Sequence, residues 1–301
     1  MKKWLTGIIL FMVVFALAAC GQSEENQTKS EGKEDTKKTE VLKIGAIPDQ
    51  EASKLESGMT AVANYLSKET GMKVEFVPSV DYAALVTAFQ RGEIHLAWFG
   101  GLTSVQARNL VPDAESIVQR PLDAAFKSVF ITQSDSSIKD LEDLKGKSFT
   151  FGSESSTSGH LMPRYFLTEQ GIDPNEDFNG KPNFSGSHDT TYKLVEAGSF
   201  EAGALNISVW EAAVKDGKVD TNKVKVFYTT PEYFDYNWTM NSNVDEVFGN
   251  GAKQKIKDAL LSFSGEQSEI VDLFQTDTFI ETKNDNYEKI EKVAKDLGII
   301  K

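Results

Sequence analysis

Cysteine occurs once, at Cys20, so no intrachain disulfide can staple the fold. Histidine is nearly as scarce. His95, His160 and His188 are scattered and form no H-x-x-x-H pair, so neither a metal nor another cofactor is expected. There is no glycine-rich phosphate loop of the Rossmann or Walker type, and no internal repeat. Positive charge is short: 32 Lys and Arg stand against 45 Asp and Glu, a net charge of −13. That balance argues against a nucleic-acid partner, which wants basic patches, and against an anionic membrane surface unless an anchor is added. Small anions stay open, because local donors decide their binding. A nucleophile elbow is also missing, since Gly152-Ser153-Glu154-Ser155-Ser156 lacks the final glycine of G-x-S-x-G. An exported serine hydrolase is therefore the weaker reading, and no enzyme activity is expected.

Long apolar runs are confined to the N-terminus. Lys2 and Lys3 precede an apolar stretch from Trp4 to Leu17, about fourteen residues, short for a membrane-spanning helix. Leu17-Ala18-Ala19-Cys20 resembles a bacterial lipobox, which implies a leader at residues 1–19, cleavage before Cys20 and lipidation of its thiol. A plain membrane anchor or an ordinary secretory signal is the alternative. Residues 21–40 contain no apolar side chain and cannot offset their ordering entropy. Residues 20–40 therefore read as a disordered tether. The expected place is the cell membrane, lipid-anchored, on the extracytoplasmic side.

Order begins at Val41–Pro48, an alternating strand. Helical spacing follows to Gly71, then strand (Lys73–Ser79), helix (Asp81–Glu93), apolar strand (Ile94–Gly100) and helix (Gly101–Val111). Further strands are expected over Ala124–Gln133, Lys147–Ser153, Glu201–Asn206, Lys223–Thr230 and Tyr236–Val244. Helices are expected after Gly159 and over Asp189–Phe200, Ser208–Gly217, Gly251–Ser264 and Asn286–Ile299. The βαβα rhythm predicts an α/β protein of two lobes with parallel sheets covered by helices. The last helices are expected to pack back on the first lobe. Ligands in such sheets bind beyond the strands' carboxyl ends, where loops feed helix starts.

Several such loops are polar. Ser156, Thr157 and Ser158 follow a strand and open a helix, where unpaired N–H groups and the dipole favour an anion. On local sequence alone an ordinary N-cap with surplus serines is the simpler account, since one serine suffices for a cap. His188 precedes a helix beside Ser185, Ser187 and Thr190, as a donor or as a structural imidazole. Tyr82 at a helix start can offer its hydroxyl. Phe99 can wall a pocket or pack in a core, and Trp98 reads as core. Asn206 sits at a strand end. Asp235 and Tyr236 stand where the chain returns to the first lobe.

The segments VDYAALVTAFQRGEIHLAWFG, IKDLEDLKGKSFTFGSESSTSGHLMPRYFL and EAGALNISVWEA resemble, in order and spacing, the solute-binding proteins of phosphate, phosphite and phosphonate ABC importers. The resemblance runs from about Val41 to the C-terminus. It implies a two-lobed type II periplasmic-binding-protein fold with two crossover strands. Lobe 1 comprises 41–132 and the return 236–301, lobe 2 comprises 133–235, and hinges lie near Gln133 and Asp235. It implies a monomer that holds a small oxyanion between its lobes, with ABC permease subunits as partners. The helix-start Ser156, Thr157 and Ser158, with Tyr82 and His188, are then the expected contacts, joined by Phe99, Asn206 and Tyr236.

Two departures narrow the ligand. The aromatic before the glycine of W-[FY]-G is often tyrosine in the family, and here it is Phe99. Asn206 stands where many members carry Asp, and the neighbourhood of Ser208, where the family's amine-recognising carboxylate falls, is not acidic. A bare oxyanion such as phosphate, phosphite or methylphosphonate fits better than an aminoalkyl phosphonate. A subgroup named for selenate is similar too. An organic ligand such as a thiamine precursor or a sulfonate is the alternative within the same fold, clamped by Phe99, Trp210 and Trp238. A protonated oxyanion would need a buried acceptor, for which Asp49, Asp235 and Asn206 are the choices.

Overall fold

The computed structural model describes residues 40–301, so the leader, Cys20 and all but the last residue of the tether lie outside the described residues. Apolar residues at strand and helix spacing build two sheets. The first lobe begins with β1 (Val41–Ala46), α1 (Ala52–Thr70), β2 (Lys73–Phe76), α2 (Tyr82–Gln90), β3 (Leu96–Phe99), α3 (Gly101–Leu110) and β4 (Glu115–Gln119). The second lobe holds β5 (Ser128–Gln133), β6 (Phe149–Phe151), α4 (Met162–Glu169), β7 (Asn183–Phe184), α5 (His188–Glu196), β8 (Ala202–Asn206), α6 (Ile207–Lys215) and β9 (Val224–Thr229). The chain returns through β10 (Asn237–Met240), α7 (Val244–Phe248), α8 (Ala252–Leu261), α9 (Ser268–Phe274), β11 (Ile280–Glu281) and α10 (Glu288–Asp296).

The sheets run β11-β4-β10-β3-β1-β2 and β7-β6-β8-β5-β9. Both are mixed, which corrects the parallel expectation. β10 is antiparallel to β3 and β4, and β5 is antiparallel to β8 and β9. The physical reason is the route of the chain, because both strands enter their sheets from the opposite lobe. α8 and α9 pack on α1, and α10 packs on α3, so the C-terminal helices do cover the first lobe. Lobe 1 has one core, including Leu42, Ile44, Phe89, Trp238 and Phe274. The second sheet is buried on both faces, one by Phe130 and Phe149, the other by Ile131 and Val195. Each such side chain contributes about 1.5–3 kcal/mol through burial. His95 is structural: its Nδ1 accepts the Lys43 N–H at 3.0 Å and its ring meets the Phe248 edge.

The crossings lie between Gln119 and Ser128 and between Thr229 and Asn237. Gln133 ends β5, so the first crossing lies upstream of the boundary and hinge expected there. Phe126 and Tyr233 exchange both backbone hydrogen bonds, at 2.8 and 3.0 Å, and the Asp235 N–H reaches the Asp123 carbonyl at 3.0 Å. The two crossings are thus one narrow antiparallel ribbon, and Asp235 lies on it.

Candidate ligand-binding site

Helix starts from both lobes converge on the cleft, each fixed by a local cap. Asp81 caps α2 through the Ala84 N–H, Ser187 caps α5 through Thr190, and Asn206 caps α6 through Ser208 and Val209. Ser156 caps the turn ahead of α4, its Oγ accepting the Gly159 N–H at 2.9 Å. That turn is wide. The Leu161 N–H reaches back five residues to the Ser156 carbonyl at 3.0 Å, a π-type bulge of the kind that re-aims a helix start. His160 braces it by bonding the Glu154 carbonyl at 2.7 Å while accepting Arg164 Nε at 2.9 Å. Gly159 has to be small, since a Cβ there would stand 3.0 Å from both His188 Cε1 and Ser156 Oγ.

The lobes are closed on one another. Leu102 N–H donates to Thr157 Oγ1 at 2.9 Å, Gly101 N–H donates to Asp235 Oδ1 at 3.0 Å, and His188 N–H donates to the Asp49 carbonyl at 3.0 Å. One relay joins the remaining expected residues. The Asn206 N–H donates to His188 Nδ1, so the ring proton sits on Nε2, which points to Tyr236 Oη at 3.3 Å. Asn206 Nδ2 also donates to Tyr236 Oη at 2.9 Å, and Tyr236 donates to Asp49 Oδ2 at 2.8 Å. This is work an aspartate at 206 could not do, because a carboxylate has no N–H to give Tyr236. Burial keeps His188 neutral and pushes its pKa down to about 3.

Four buried side-chain atoms around this relay have no hydrogen-bond partner: Tyr82 Oη, Ser158 Oγ, Asp49 Oδ1 and Asp235 Oδ2. Buried polar groups are normally paired, so a cluster of orphans marks a place shaped for something else. Burial raises Asp235 to about 7, against help from the Gly101 N–H and the Thr157 and Ser158 hydroxyls. Burial likewise raises Asp49 to about 6, opposed by Tyr236 and then by the positive charge of Arg120. Tyr82 is held well above its ordinary value by burial and by Asp49. Ser156 and Ser158 lie near enough to Tyr82 and Asp235 to ease their charge without completing a hydrogen bond.

The structure therefore brings together Tyr82, Ser156, Thr157, Ser158, His188, Asn206 and Tyr236. Phe99 makes none of these polar contacts, and its fully buried ring packs edge-on against Phe89 in the lobe 1 core. Trp98 lies in the lobe 1 core, as read, and also stacks on Tyr236 with ring centroids 5.6 Å apart. Arg120 was not foreseen at all. It is buried beneath Tyr236, 5.3 Å from the Trp98 ring and 5.1 Å from the Tyr236 ring, with bonds from Nε and Nη2 to Asp123 and from Nη1 to the Phe274 carbonyl. The sequence signal is Arg120-Pro121-Leu122-Asp123, opposite charges three apart at the edge of an apolar run.

The family model described as "ABC transporter, phosphonate, periplasmic substrate-binding protein" matches residues 44–287. The chain belongs to this family. It is a periplasmic substrate-binding protein of the phosphonate ABC-transporter type, from a family that serves transport, and its fold is the two-lobed type II periplasmic fold. It is 40% identical over 270 residues to the probable ABC transporter phosphite binding protein PhnD1 of Prochlorococcus marinus (strain MIT 9301), covering 87% of this chain and 91% of that one. The structure of PhnD1 in complex with methylphosphonate matches with a TM-score of 0.82 at 41% identity, covering 86% of this chain and 99% of that one. The phosphate-import protein PhnD of Mycolicibacterium smegmatis is 28% identical over 228 residues, 72% of this chain and 70% of that one. Among the described residues no helix is long and apolar enough to cross a membrane, and no metal-binding cluster is present.

Tyr82→Phe separates the orphan hydroxyl's two effects. Without ligand the variant should be as stable as the wild type or slightly more so, because an unpaired buried hydroxyl is removed. Its affinity for phosphite should fall by about 1.5–3 kcal/mol, a charge-assisted bond lost. Thermal melts and calorimetry together check this, and a lower melting point without ligand would refute the orphan assignment.

Proposed function

We propose that the site captures a small tetrahedral phosphorus oxyanion that still carries a proton (phosphite, methylphosphonate or phosphate) and delivers it to the permease of an ABC importer. The observation that carries this reading is the orphan quartet, two hydroxyl donors set among two carboxylate oxygens. Tyr82, Ser158 and the amides opening the Ser156–Ser158 turn would hold the charged oxygens, each bond to the charged ligand giving about 1.5–3 kcal/mol. A P–OH group would donate to Asp235 Oδ2. Thr157 and His188 act one step back, the first on the Leu102 amide and the second on Tyr236. Arg120 offers the anion no direct contact, its bonds being directed at Asp123 and Phe274.

A proton-free oxyanion such as selenate, sulfate or a sulfonate could use the donors, but above about pH 7, where Asp49 and Asp235 are ionised, it would bring like charge against two carboxylates. An organic ligand of thiamine-precursor size is disfavoured, since the rings expected to clamp it, Phe99, Trp210 and Trp238, are buried in the lobe cores. The ligands named for PhnD1 and for the M. smegmatis protein support the same class. Calorimetry of the purified protein against phosphite, methylphosphonate, phosphate, selenate and sulfate tests the reading. The last two should bind about tenfold or more weakly than the best of the first three. Equal or tighter binding of selenate would sink it. Cys20 would tether the protein, as a monomer, to the outer face of the membrane. Cell fractionation checks this part, since Cys20→Ala should release the protein.

A further inference from the structure

The wide turn at Ser156–Leu161 spends its carbonyls one after another. The Ser156 carbonyl accepts the Leu161 N–H at 3.0 Å, and the Thr157 carbonyl accepts the Met162 N–H, each donor lying five residues on. By that rule the Ser158 carbonyl would take its hydrogen bond from residue 163. Residue 163 is proline, which has no N–H to give. A buried carbonyl without a donor is costly, so the donor has to come from outside the helix. It comes from Ser128, whose Oγ donates to the Ser158 carbonyl at 2.7 Å. The Gly159 carbonyl is also served from outside, by the Gly152 N–H at 2.8 Å.

Ser128 is buried and is the first residue of β5, directly after the first crossing. Its backbone is tied to the start of the second crossing. The Ser128 N–H donates to Thr230 Oγ1 at 2.9 Å, and the Ser128 carbonyl accepts the Thr230 N–H at 3.0 Å. Its hydroxyl also meets Tyr233 Oη at 2.5 Å. A serine hydroxyl has one proton, and here that proton goes to Ser158, so Tyr233 is the donor in this contact. Tyr233 is the residue that pairs with Phe126 across the ribbon. Two hydrogen bonds in series therefore run from the ribbon to the backbone of Ser158, whose own Oγ is one of the orphan donors.

Holding the Ser158 carbonyl fixes the ψ of that residue, and the backbone angles in turn limit the rotamers open to its hydroxyl. We propose that Ser128, backed by Tyr233, is a positioning residue that aims the Ser158 hydroxyl at the ligand. Both act through the Ser158 backbone. The proposal rests on the oxyanion reading, in which Ser158 is a ligand donor, and adds what keeps that donor in aim and what links it to the crossings.

A double-mutant cycle read by calorimetry against phosphite tests this. Ser128→Ala should weaken binding by about 3- to 30-fold, the usual reach of a residue that modulates binding without contact. Ser158→Ala should weaken it at least as much. In the Ser158→Ala background, Ser128→Ala should change affinity by less than about twofold, because no hydroxyl is left to aim. A general loosening of the fold would lower affinity by the same factor in both backgrounds, and that result overturns the proposal. Unchanged affinity in Ser128→Ala overturns it too. Tyr233→Phe keeps the ring edge-on to Phe126, with centroids 6.2 Å apart, and takes the place of Ser128→Ala in the cycle if thermal melts show that variant unfolded. Its loss should be about 2- to 10-fold and should vanish in the same way beside Ser158→Ala. Wild-type affinity in Ser158→Ala overturns the proposal together with the donor role of Ser158. If the wild type binds neither phosphite, methylphosphonate nor phosphate, the oxyanion reading itself fails.

Discussion

Asp235→Asn should reverse the site's preference between proton-bearing and proton-free oxyanions. Asp235 Oδ1 is held by the Gly101 N–H at 3.0 Å, which fixes the amide oxygen of the replacement in that place. Its NH2 group would then occupy the position of Oδ2, the orphan oxygen. A P–OH would meet a donor instead of an acceptor and lose about 2–3 kcal/mol, roughly 30- to 150-fold in affinity. Above about pH 7, where Asp235 is ionised, selenate and sulfate would gain a donor and lose a repelling charge. Calorimetry across the five-anion panel reads the reversal directly, and an unchanged order would show that Asp235 Oδ2 does not face the ligand's proton.

The same variant carries a pH signature without ligand. Burial lifts the folded-state pKa of Asp235 to about 7 from an ordinary 3.8. Below the ordinary value the carboxyl is protonated in both states and contributes nothing. Between there and about 7 the unfolded chain releases the proton while the folded chain keeps it, so the wild type loses stability as pH rises. Asparagine has no such proton. The stability of Asp235→Asn relative to wild type should therefore climb across that window and level off above it. At about 1.4 kcal/mol per pKa unit the climb amounts to several kcal/mol. Urea melts at stepped pH measure it, and a flat difference would mean the carboxyl titrates normally.

Arg120→Met should cost about 3–5 kcal/mol of folding stability, because it strands the Asp123 carboxylate in the interior. Asp123 is fully buried and accepts Arg120 Nε at 2.8 Å, Nη2 at 2.7 Å and the Arg120 backbone N–H at 3.1 Å. The guanidinium also lies over the rings of Trp98, Phe126 and Tyr236, at 5.1–5.8 Å from their centroids. Adding Asp123→Leu should return much of the loss, since a buried ion pair replaced whole by apolar side chains is often near neutral. Urea midpoints of the single and double variants decide the matter. A single variant within about 1 kcal/mol of wild type would show that the pair is dispensable.

The helix start at Ser156–Ser158 was legible because a strand, a hydroxyl cluster and an amphipathic run follow one another within a few residues. Tyr82, His188 and Asn206 were legible for the same local reason, each standing at the first residue of a helix or one residue before it. β4 was missed, since its Glu115-Ser116-Ile117-Val118-Gln119 is five residues with only two apolar ones and Pro121 close behind. α9 escaped for shortness, at seven residues. Sheet direction was misread because local rhythm describes βαβ units, whereas β5 and β10 join their sheets across the crossings. Trp98 reads as core and is core, but its stacking on Tyr236, like Arg120, could not be placed by pattern. Their importance lies in stacking on Tyr236, a contact between residues more than a hundred positions apart in sequence.

The paired crossings carry one more consequence. Asp235 sits on the ribbon formed by Phe126 and Tyr233, and Tyr236 follows at once, so on the proposed reading the acceptor for the ligand's proton stands where the lobes are joined. The Glu51–Lys218 ion pair, 2.7 Å long, joins the residue ahead of α1 in the first lobe to the loop after α6 in the second. A load seated at a pivot moves little itself while the tips of the levers sweep a longer arc. On the proposed reading, a small movement at an anion beside the crossings would become a larger displacement at the lobe surfaces, where a permease would sense it without touching the anion.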